Sequence, residues 1–587
     1  MSKKIFCAKI QKNRIFAARK KIEMKKNIVF ISLLCLVNYL VFAQSEHYDV
    51  HPAFPHHLTA EEQLQMHTLQ EKVARNATAA PQGPVAALAE FQPMMGVMIR
   101  YTLGIPVSLV AQLSQLTQVK VLVENSYLQG RANTYFSQNG VNMSNVEFWV
   151  IPNDSYWTRD YGPWFIIDGN DQVAVIDFTY NRPQRPNDDA SLQYVVQHLN
   201  MNRYEMPMIH TGGNYMTDGY GTAASTQLVI DENPTESVAS LRQMAQEYMG
   251  INNYMFIDDP MDDYIYHIDC WGKFLGVDKV LVAQVPTTDY RYADYEAAAA
   301  VFANATTPWG NHYQVYRVFE PGTGSVATPY TNSLILNDHV FVPIAGSQWD
   351  DDAIAVYQQA MPGYTIVPVM QAYSTPWDNT DALHCRTHEL ADKGMLYIKH
   401  YPLLGAQEVQ NGEATISADI KALSGQSLVT DSLLAYYRIN HGAWNAVSMT
   451  SVGGSSFEAS FSGLQDLDTV DYYLFAKDQS GRREHHPYIG AADPHRFVVN
   501  APTAIQNQQL DANVILYPNP AVDRIVLRGE NLVSVQIFNA MGQFVAEYPL
   551  NSISTVLNCK DWSAGVYYLS ILMDNGTVVS KKVVKVN

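Results

Sequence analysis

The chain has 587 residues, 47% of them apolar and 16% charged, with a formal net charge of -18. That length exceeds one ordinary domain, and the apolar share supplies sizeable cores, which excludes a disordered chain. The first 43 residues hold ten Lys or Arg and one Glu, leaving -27 on the remainder, a surface that repels nucleic acid and anionic lipid and draws cations in.

Lys25 and Lys26 precede an apolar run from 28 to 43, and Val41 and Ala43 are the small residues expected before a cleavage point at Gln44. Residues 1–43 therefore read as an export signal, with Met24 an alternative start. The run falls short of the roughly 20 residues of a membrane span. Residues 44–85 are polar, end in Pro-Gln-Gly-Pro, and read as a peripheral or removable pro-segment. From 86 to 403 short apolar strands alternate with helical stretches, which predicts an α/β domain. Strands are expected at 119–123, 146–151, 174–178, 280–284, 364–369 and 396–400, and a hairpin joins 333–336 to 339–343 across Asn337-Asp338. A helix is expected over 129–139. From 404 to 500, alternating strands such as 433–439 and 470–477 with Gly-rich turns predict an immunoglobulin-like β-sandwich. A polar linker, 501–512, leads to a small all-β module at 513–587.

Once Cys7 and Cys35 leave with the signal, Cys270, Cys385 and Cys559 remain. An odd, sparse set argues against a disulfide framework and for a free reactive thiol. Three segments combine the groups such a thiol needs. In Asn153-Asp-Ser-Tyr-Trp157-Thr-Arg-Asp160, a carboxylate beside aromatic rings suits a flat cation: Asp160 offers paired acceptors and Trp157 a face to cover it. A packed turn accounts for the same residues. In Asp263-Tyr264-Ile-Tyr-His267-Ile-Asp269-Cys270, a strand would put His267 and Asp269 on one face and bury Cys270 on the other. His267 then serves as general acid and base, although an exposed polar strand face reads equally well. In Thr380-Asp-Ala-Leu-His384-Cys385-Arg386-Thr-His388, the polar, Gly-free setting favours a Cys385 thiolate. Thr211-Gly-Gly-Asn214 reads more readily as turn chemistry than as part of a site. The acidic runs Asp258-Asp259 and Asp350-Asp351-Asp352 leave room for a structural cation, with solvated loops the plainer reading.

Taken in order, Trp-Thr-Arg-Asp, Asn-Arg-Pro, Gly-Gly-Asn-Tyr-Met-Thr-Asp-Gly, His-x-Asp-Cys-Trp-Gly-Lys, Tyr-Thr-Asn-Ser and Asp-Ala-Leu-His-Cys-Arg-Thr-His resemble the bacterial, Porphyromonas-type peptidylarginine deiminases. These belong with agmatine deiminases in the guanidino-modifying superfamily. The resemblance covers about residues 84–402 and continues into the sandwich-like region. It implies a five-fold pseudosymmetric α/β propeller catalytic domain that converts peptidyl arginine to citrulline and ammonia without a cofactor. By motif, it makes Cys385 the nucleophile and His267 the acid and base. Asp160 and Asp269 would grip the guanidinium, Asn332 would order the site, and Trp157 and Tyr264 would line it. Two arginines that receive a substrate carboxylate fall on Arg182 and, across an inserted Gln184, on Arg185. The tail, with Tyr517-Pro-Asn-Pro-Ala521 and the basic stretch Lys581-Lys-Val-Val-Lys585, resembles the C-terminal sorting domain of type IX secretion. That implies a secreted or surface-associated bacterial protein, with the secretion machinery and arginine-containing peptides as partners.

A deiminase for agmatine or free arginine is the near alternative. A papain-like peptidase would carry its Cys near the mature N-terminus with His downstream, whereas His267 precedes Cys385 here. A non-catalytic surface adhesin is the third reading.

Overall fold

A computed structural model describes residues 55–586 apart from 322–325, 501–513, 541, 551–552 and 575–577. The export signal and the whole linker lie outside the described residues. The chain divides into two compact units, one reaching Val499 and the other made of Glu408–Asn411 with Asn500–Asn587.

The first unit begins with one device used five times. A short strand pairs antiparallel with the next, which crosses through helix to a parallel third strand. Trp164–Ile167, Val173–Tyr180 and Asn202–His210 follow this plan, with the helix Pro186–Leu199 in the crossover. So do Met216–Thr217, Thr222–Thr226 and Asn253–Ile257, then Gly272–Gly276, Lys279–Gln284 and Gln314–Phe319, then Leu334–Leu336, His339–Ile344 and Thr365–Met370. The fifth copy is assembled from both ends of this stretch. His388–Ala391 pairs antiparallel with Met94–Tyr101, which leads through the helix Val107–Leu116 to Gln118–Val123, and Val146–Val150 extends that sheet.

Middle strands buried on both faces explain why the sequence shows continuous apolar runs: Val340, Phe341 and Val342 have no exposed surface, and neither do Val280, Leu281 and Val282. The crossover helices bury one stripe only. Val238–Met249 starts on Ser237, whose side chain accepts from the Ser240 amide, and buries Leu241, Ala245, Tyr248 and Met249. It ends on Gly250 at φ +70, the left-handed cap that glycine adopts without a Cβ penalty.

Most expected elements fall within a residue or two of their places, including the hairpin across Asn337-Asp338. Leu396–His400 differs. It pairs with Glu413–Ala422 and so belongs to an antiparallel sheet that continues through Ser456–Ser462 to Thr450–Gly453. A second antiparallel sheet runs His495–Asn500, Thr469–Lys477, Leu434–Ile439 and Asn445–Ser448. Arg482 forks onto Asp392 at 2.6 and 2.8 Å, joining this all-β region to the α/β region within the same unit.

The second unit is all-β. One sheet runs Ile515–Tyr517, Arg524–Arg528 and Ser554–Asn558; the other runs Phe544–Pro549, Leu532–Asn539, Gly565–Met573 and Val578–Lys585. Ile525, Leu527, Val535, Ile537, Leu569 and Val583 are fully buried in its core. The Pro-Asn-Pro-Ala start and the basic last strand, distant in sequence, are stitched together. Asn519 accepts from the Val584 amide at 2.9 Å and donates to the Lys582 carbonyl at 2.9 Å, and the Ala521 amide donates to Val584 at 2.8 Å.

Two glycines give opposite expectations for stability. Gly130 sits inside the helix Ser126–Gln138 with nothing near its missing Cβ, so Gly130→Ala gains about 0.5–1 kcal/mol. At Gly250 a Cβ would meet the Val85 carbonyl oxygen at 2.0 Å in a left-handed conformation, so Gly250→Ala loses more than about 1 kcal/mol. Thermal unfolding midpoints of the two variants should move in opposite directions from wild type.

Candidate active site

Five loops converge, and each lies just before the antiparallel strand that opens one of the five repeats. Asp160 precedes Trp164–Ile167 and Gly213 precedes Met216–Thr217. His267 and Asp269 precede Gly272–Gly276, Asn332 precedes Leu334–Leu336, and Cys385 precedes His388–Ala391. All of these that carry side chains are buried. Main-chain bonds tie loop to loop: Arg159 donates to the Cys385 carbonyl at 3.2 Å, Gly212 to the Asp160 carbonyl at 2.8 Å, and His384 to the Asn332 carbonyl at 3.0 Å.

Asn332 cradles the thiol. Its Oδ1 accepts from the Cys385 amide and its Nδ2 donates to Cys385 Sγ, both at 3.2 Å. Asp269 Oδ2 faces the same sulfur at 3.6 Å and accepts from His384 Nδ1 at 2.7 Å. On the other side, His267 Nδ1 lies 3.7 Å from Asp160 Oδ1. Cys270 is also buried, facing the other oxygen of Asp269, Oδ1, at 3.6 Å and the Thr380 carbonyl at 3.6 Å.

Burial drives the titrations. It pushes the Cys385 thiol well above its usual range, and the carboxylates of Asp269, Asp381 and Asp160 push it further. The polar sequence around Cys385 therefore does not yield a resting thiolate: the neighbours that face the sulfur are acidic, while Arg386 turns away to fork onto Asp381 at 2.8 Å twice. Burial lowers His267 to about 4 against the pull of Asp160 and Asp269, so its imidazole is neutral at neutral pH. Burial would raise Asp160, but the His56 and His267 imidazoles and Arg182 outweigh it and hold the carboxylate ionised. Two buried acidic groups beside a protonated thiol and a neutral imidazole make a site short of one positive charge.

Several expectations need correcting. His267 and Asp269 do not share a strand face. Tyr266 has φ +55 and Asp263 Oδ1 accepts from the amides of Ile265 and Tyr266, so the chain turns, and Ile268–Cys270 forms a short 3-10 helix. Tyr264 stands at the rim, half exposed, with its hydroxyl 2.7 Å from Thr380 Oγ1. Trp157 is buried. The Gly-Gly-Asn stretch is more than a turn. A Cβ on Gly213 would lie 2.6 Å from His267 Nδ1 and 2.9 Å from Asp160 Oδ1, and Asn214 Oδ1 accepts from the amides of Thr226 and Ile268. The inserted Gln184 does not carry Arg185 away: Arg185 and Arg182 are both buried and donate to the neighbouring carbonyls of Pro55 and His56, from Arg182 at 3.1 and 3.3 Å. His56 is therefore not peripheral. His56 stacks on Trp157 with 4.6 Å between centroids and its Nε2 is 2.9 Å from Asp160 Oδ2.

Sequence reasoning passed over Glu90 and His384. His384 bridges Asp269 and Glu90, at 2.7 Å from each, and Glu90 also accepts from Lys273 at 2.8 Å. Nothing in the spacing of Glu90 signalled this, since it comes from outside every motif. Among the described residues, two groups have ligand atoms close enough for a metal, His56/Asp160/His267 and His56/Asp381/Cys385, each within 4.8 Å. Asp350, by contrast, fixes the turn that leads into its helix: it accepts from the amides of Gly346 and Ser347 and from the Tyr330 hydroxyl.

Gly213→Ala should abolish turnover, since the three nearest atoms belong to His267, Asp160 and Asp269; a steady-state assay that finds more than a tenth of wild-type kcat contradicts this placement. A second expectation concerns pH. Glu320 accepts from the Thr331 amide at 2.6 Å beneath the Asn332 loop, and burial pushes its carboxyl up to about 8. A carboxyl raised on folding favours the protonated native state, so its contribution is complete below the ordinary Glu value and is lost as pH rises toward 8. Denaturant titrations between pH 5 and pH 8 should show a smaller loss of stability in Glu320→Gln than in wild type.

Comparison with known proteins agrees in extent with this architecture. Residues 105–390 match the Porphyromonas-type peptidyl-arginine deiminase family, and residues 515–586 match the secretion system C-terminal sorting domain. A candidate agmatine deiminase of Yersinia pestis is 27% identical over 263 residues, which are 38% of this chain and 72% of that protein. One of Shewanella baltica is 25% identical over 264 residues, 38% and 71% of the respective lengths. Among solved structures, the agmatine deiminase of Enterococcus faecalis superimposes with a TM-score of 0.47 at 20% identity, covering 54% of this chain and all of that one. A candidate arginine deiminase from Porphyromonas gingivalis gives 0.47 at 18% identity, covering 53% and 99%. Residues 105–390 carry a Porphyromonas-type peptidyl-arginine deiminase domain of the guanidino-modifying deiminases, and the C-terminal sorting domain makes the chain an exported bacterial protein, secreted or held at the surface.

Proposed function

We propose that the protein hydrolyses the guanidinium of peptidyl arginine to citrulline and ammonia. The observation that carries this is the missing positive charge: Asp160 and Asp269 are buried and ionised around Cys385 and His267. A guanidinium stays charged at any working pH and offers forked donors to two carboxylates. Placed between them, it compensates both and favours loss of the Cys385 proton to the neutral His267. The thiolate then adds to the electron-poor carbon, forming the C–S bond. The imidazolium returns the proton to one amino group, and the C–N bond breaks to release ammonia. A water then gives a proton to His267 and adds to the S-linked amidinium carbon. The C–S bond breaks as the adduct's hydroxyl proton is lost to solvent and the released ammonia, the imidazolium returns its proton to the Cys385 sulfur, and the neutral ureido product leaves. Asn332 holds the sulfur through its amide, and Trp157 covers the flat cation. The chemistry calls on no metal or organic cofactor.

The choice of peptide over agmatine rests on Arg182 and Arg185. Both are buried and both donate to main-chain oxygens at the mouth. A peptidyl arginine brings main-chain oxygens, and a C-terminal one brings a carboxylate, whereas agmatine has neither. We also assign the five repeats to the five-fold α/β propeller of that superfamily, and the two antiparallel sheets before the sorting domain to an immunoglobulin-like sandwich.

Ammonia and citrulline should appear from an arginine-ended peptide with wild type, and with Cys385→Ala should fall by at least about a thousandfold. Amidated and internal arginine, free arginine and agmatine should follow in falling order of kcat/KM. Arg182→Ala should bring the arginine-ended peptide down toward agmatine, so equal rates for the two substrates in wild type would return the reading to agmatine.

A further inference from the structure

The stretch Pro55-His56-His57 enters the centre from its N-terminal side and meets Trp157, Asp160, Arg182 and Arg185, the recognition groups of the proposed substrate other than Asp269. The His56 side chain lies flat on Trp157, with 10° between the rings, and places Nε2 against Asp160 Oδ2 at 2.9 Å. Its ring is also edge-on to His267, with centroids 5.7 Å apart. One of its nitrogens is within 4.8 Å of Cys385 Sγ and of an Asp381 oxygen. It therefore fills the space between the sulfur and the acid–base histidine. Above it, Arg182 and Arg185 hold the His56 and Pro55 carbonyls, and the His57 ring meets Tyr264 edge to face, 4.8 Å between centroids.

Residues beyond the site keep this stretch in place. Thr59 and Glu62 form a reciprocal cap at the start of the helix Ala60–Asn76. Glu62 is itself fully buried, 3.8 Å from the Arg185 guanidinium, and Lys72 pairs with Asp189 further along. A buried carboxylate against a buried guanidinium is an anchor that is costly to open one-sidedly, not a chance surface contact. At the centre, His56 Nδ1, His267 Nδ1, His267 Nε2 and Asp160 Oδ1 are buried without a hydrogen-bond partner. The fit is thus incomplete, as befits an occupant that must leave.

We propose that Pro55-His56-His57 is a built-in pseudosubstrate: His56 takes the guanidinium's place between Trp157 and Asp160, its main chain takes the substrate's place on Arg182 and Arg185, and the stretch slows turnover until it is displaced. This rests on the deiminase reading for the identity of the displaced ligand, but the occupancy can be tested without any substrate. A tethered occupant competes at an effective concentration on the order of millimolar, and one charge-assisted hydrogen bond corresponds to about a tenfold change in occupancy.

The test uses the full chain. Wild type, His56→Ala and Leu64→Ala (an exposed position on the same helix) are treated with iodoacetamide, and alkylation of Cys385 is timed by peptide mass, alongside turnover of the arginine-ended peptide. His56→Ala should be alkylated at Cys385 about tenfold faster and should turn over substrate faster by a similar factor, with Leu64→Ala as wild type. Faster alkylation with no turnover of any guanidino substrate by any form keeps the pseudosubstrate and rejects the deiminase reading. Unchanged alkylation in His56→Ala overturns the proposal, and slower turnover with unchanged alkylation also overturns it, making His56 part of the reacting centre instead. If His56→Ala does not fold, Glu62→Gln, which keeps the cap but removes the charge facing Arg185, decides by the same two rates.

Discussion

The site is built on an electrostatic deficit. Asp160 and Asp269 are held ionised inside a protein where burial alone would neutralise them. The supports differ on the two sides. Asp269 leans on His384, which in turn meets Glu90 and, through Glu90, Lys273 and Arg159. Asp160 leans on His56, His267 and Arg182. The first set is scaffold. The second includes a residue from a segment that packs against the site rather than forming it, so the state of Asp160 depends on what occupies the pocket. The same dependence reaches Cys385 and His267, whose protons stay on the sulfur while no diffusible cation balances the two carboxylates.

That arrangement explains why the fold is repetitive. Each repeat offers one loop, just before its antiparallel strand, at an equivalent position. Five such loops deliver a carboxylate, a glycine, an imidazole with a second carboxylate, an amide and a thiol. The glycine is as determined as the others. Where four loops send in functional side chains, the fifth has no room for even a methyl group, and Gly213 leaves that volume to His267 and Asp160.

The repeat also marks how far the sequence is legible. Buried middle strands such as His339–Ile344 announce themselves as apolar runs, and Asn337-Asp338 announces the turn before it. The chemistry-bearing residues are legible because the motifs are long and ordered, which places Cys385, His267, Asp160, Asp269 and Asn332 before any geometry is known. What stays hidden is what depends on contact between distant segments. Local polarity around Cys385 points to a thiolate, yet the carboxylates that act on the sulfur are Asp269 and Asp160, 116 and more positions away, together with Asp381 of the same motif. The His267 segment alternates like a strand, yet an Asp263 side chain bonding to nearby amides turns it. Gln184 looks like a disruptive insertion, but both arginines still converge because their targets are two successive carbonyls rather than a fixed point.

The N-terminal stretch shows the same limit from the other side. Its composition is that of a polar leader, and nothing in residues 55–57 alone distinguishes a segment that lies on the surface from one that enters a pocket. The distinction lies in its partners: Trp157, Asp160, Arg182 and Arg185, more than a hundred positions downstream. An imidazole is planar, can donate from either nitrogen, and is smaller than a guanidinium on its propyl stem. It therefore satisfies one carboxylate and leaves the other, Asp269, to the scaffold histidine His384. A true substrate cation would engage both. Occupancy by His56 is for that reason the weaker of the two, and a chain that must cross membranes before acting gains a centre that is filled but not poisoned.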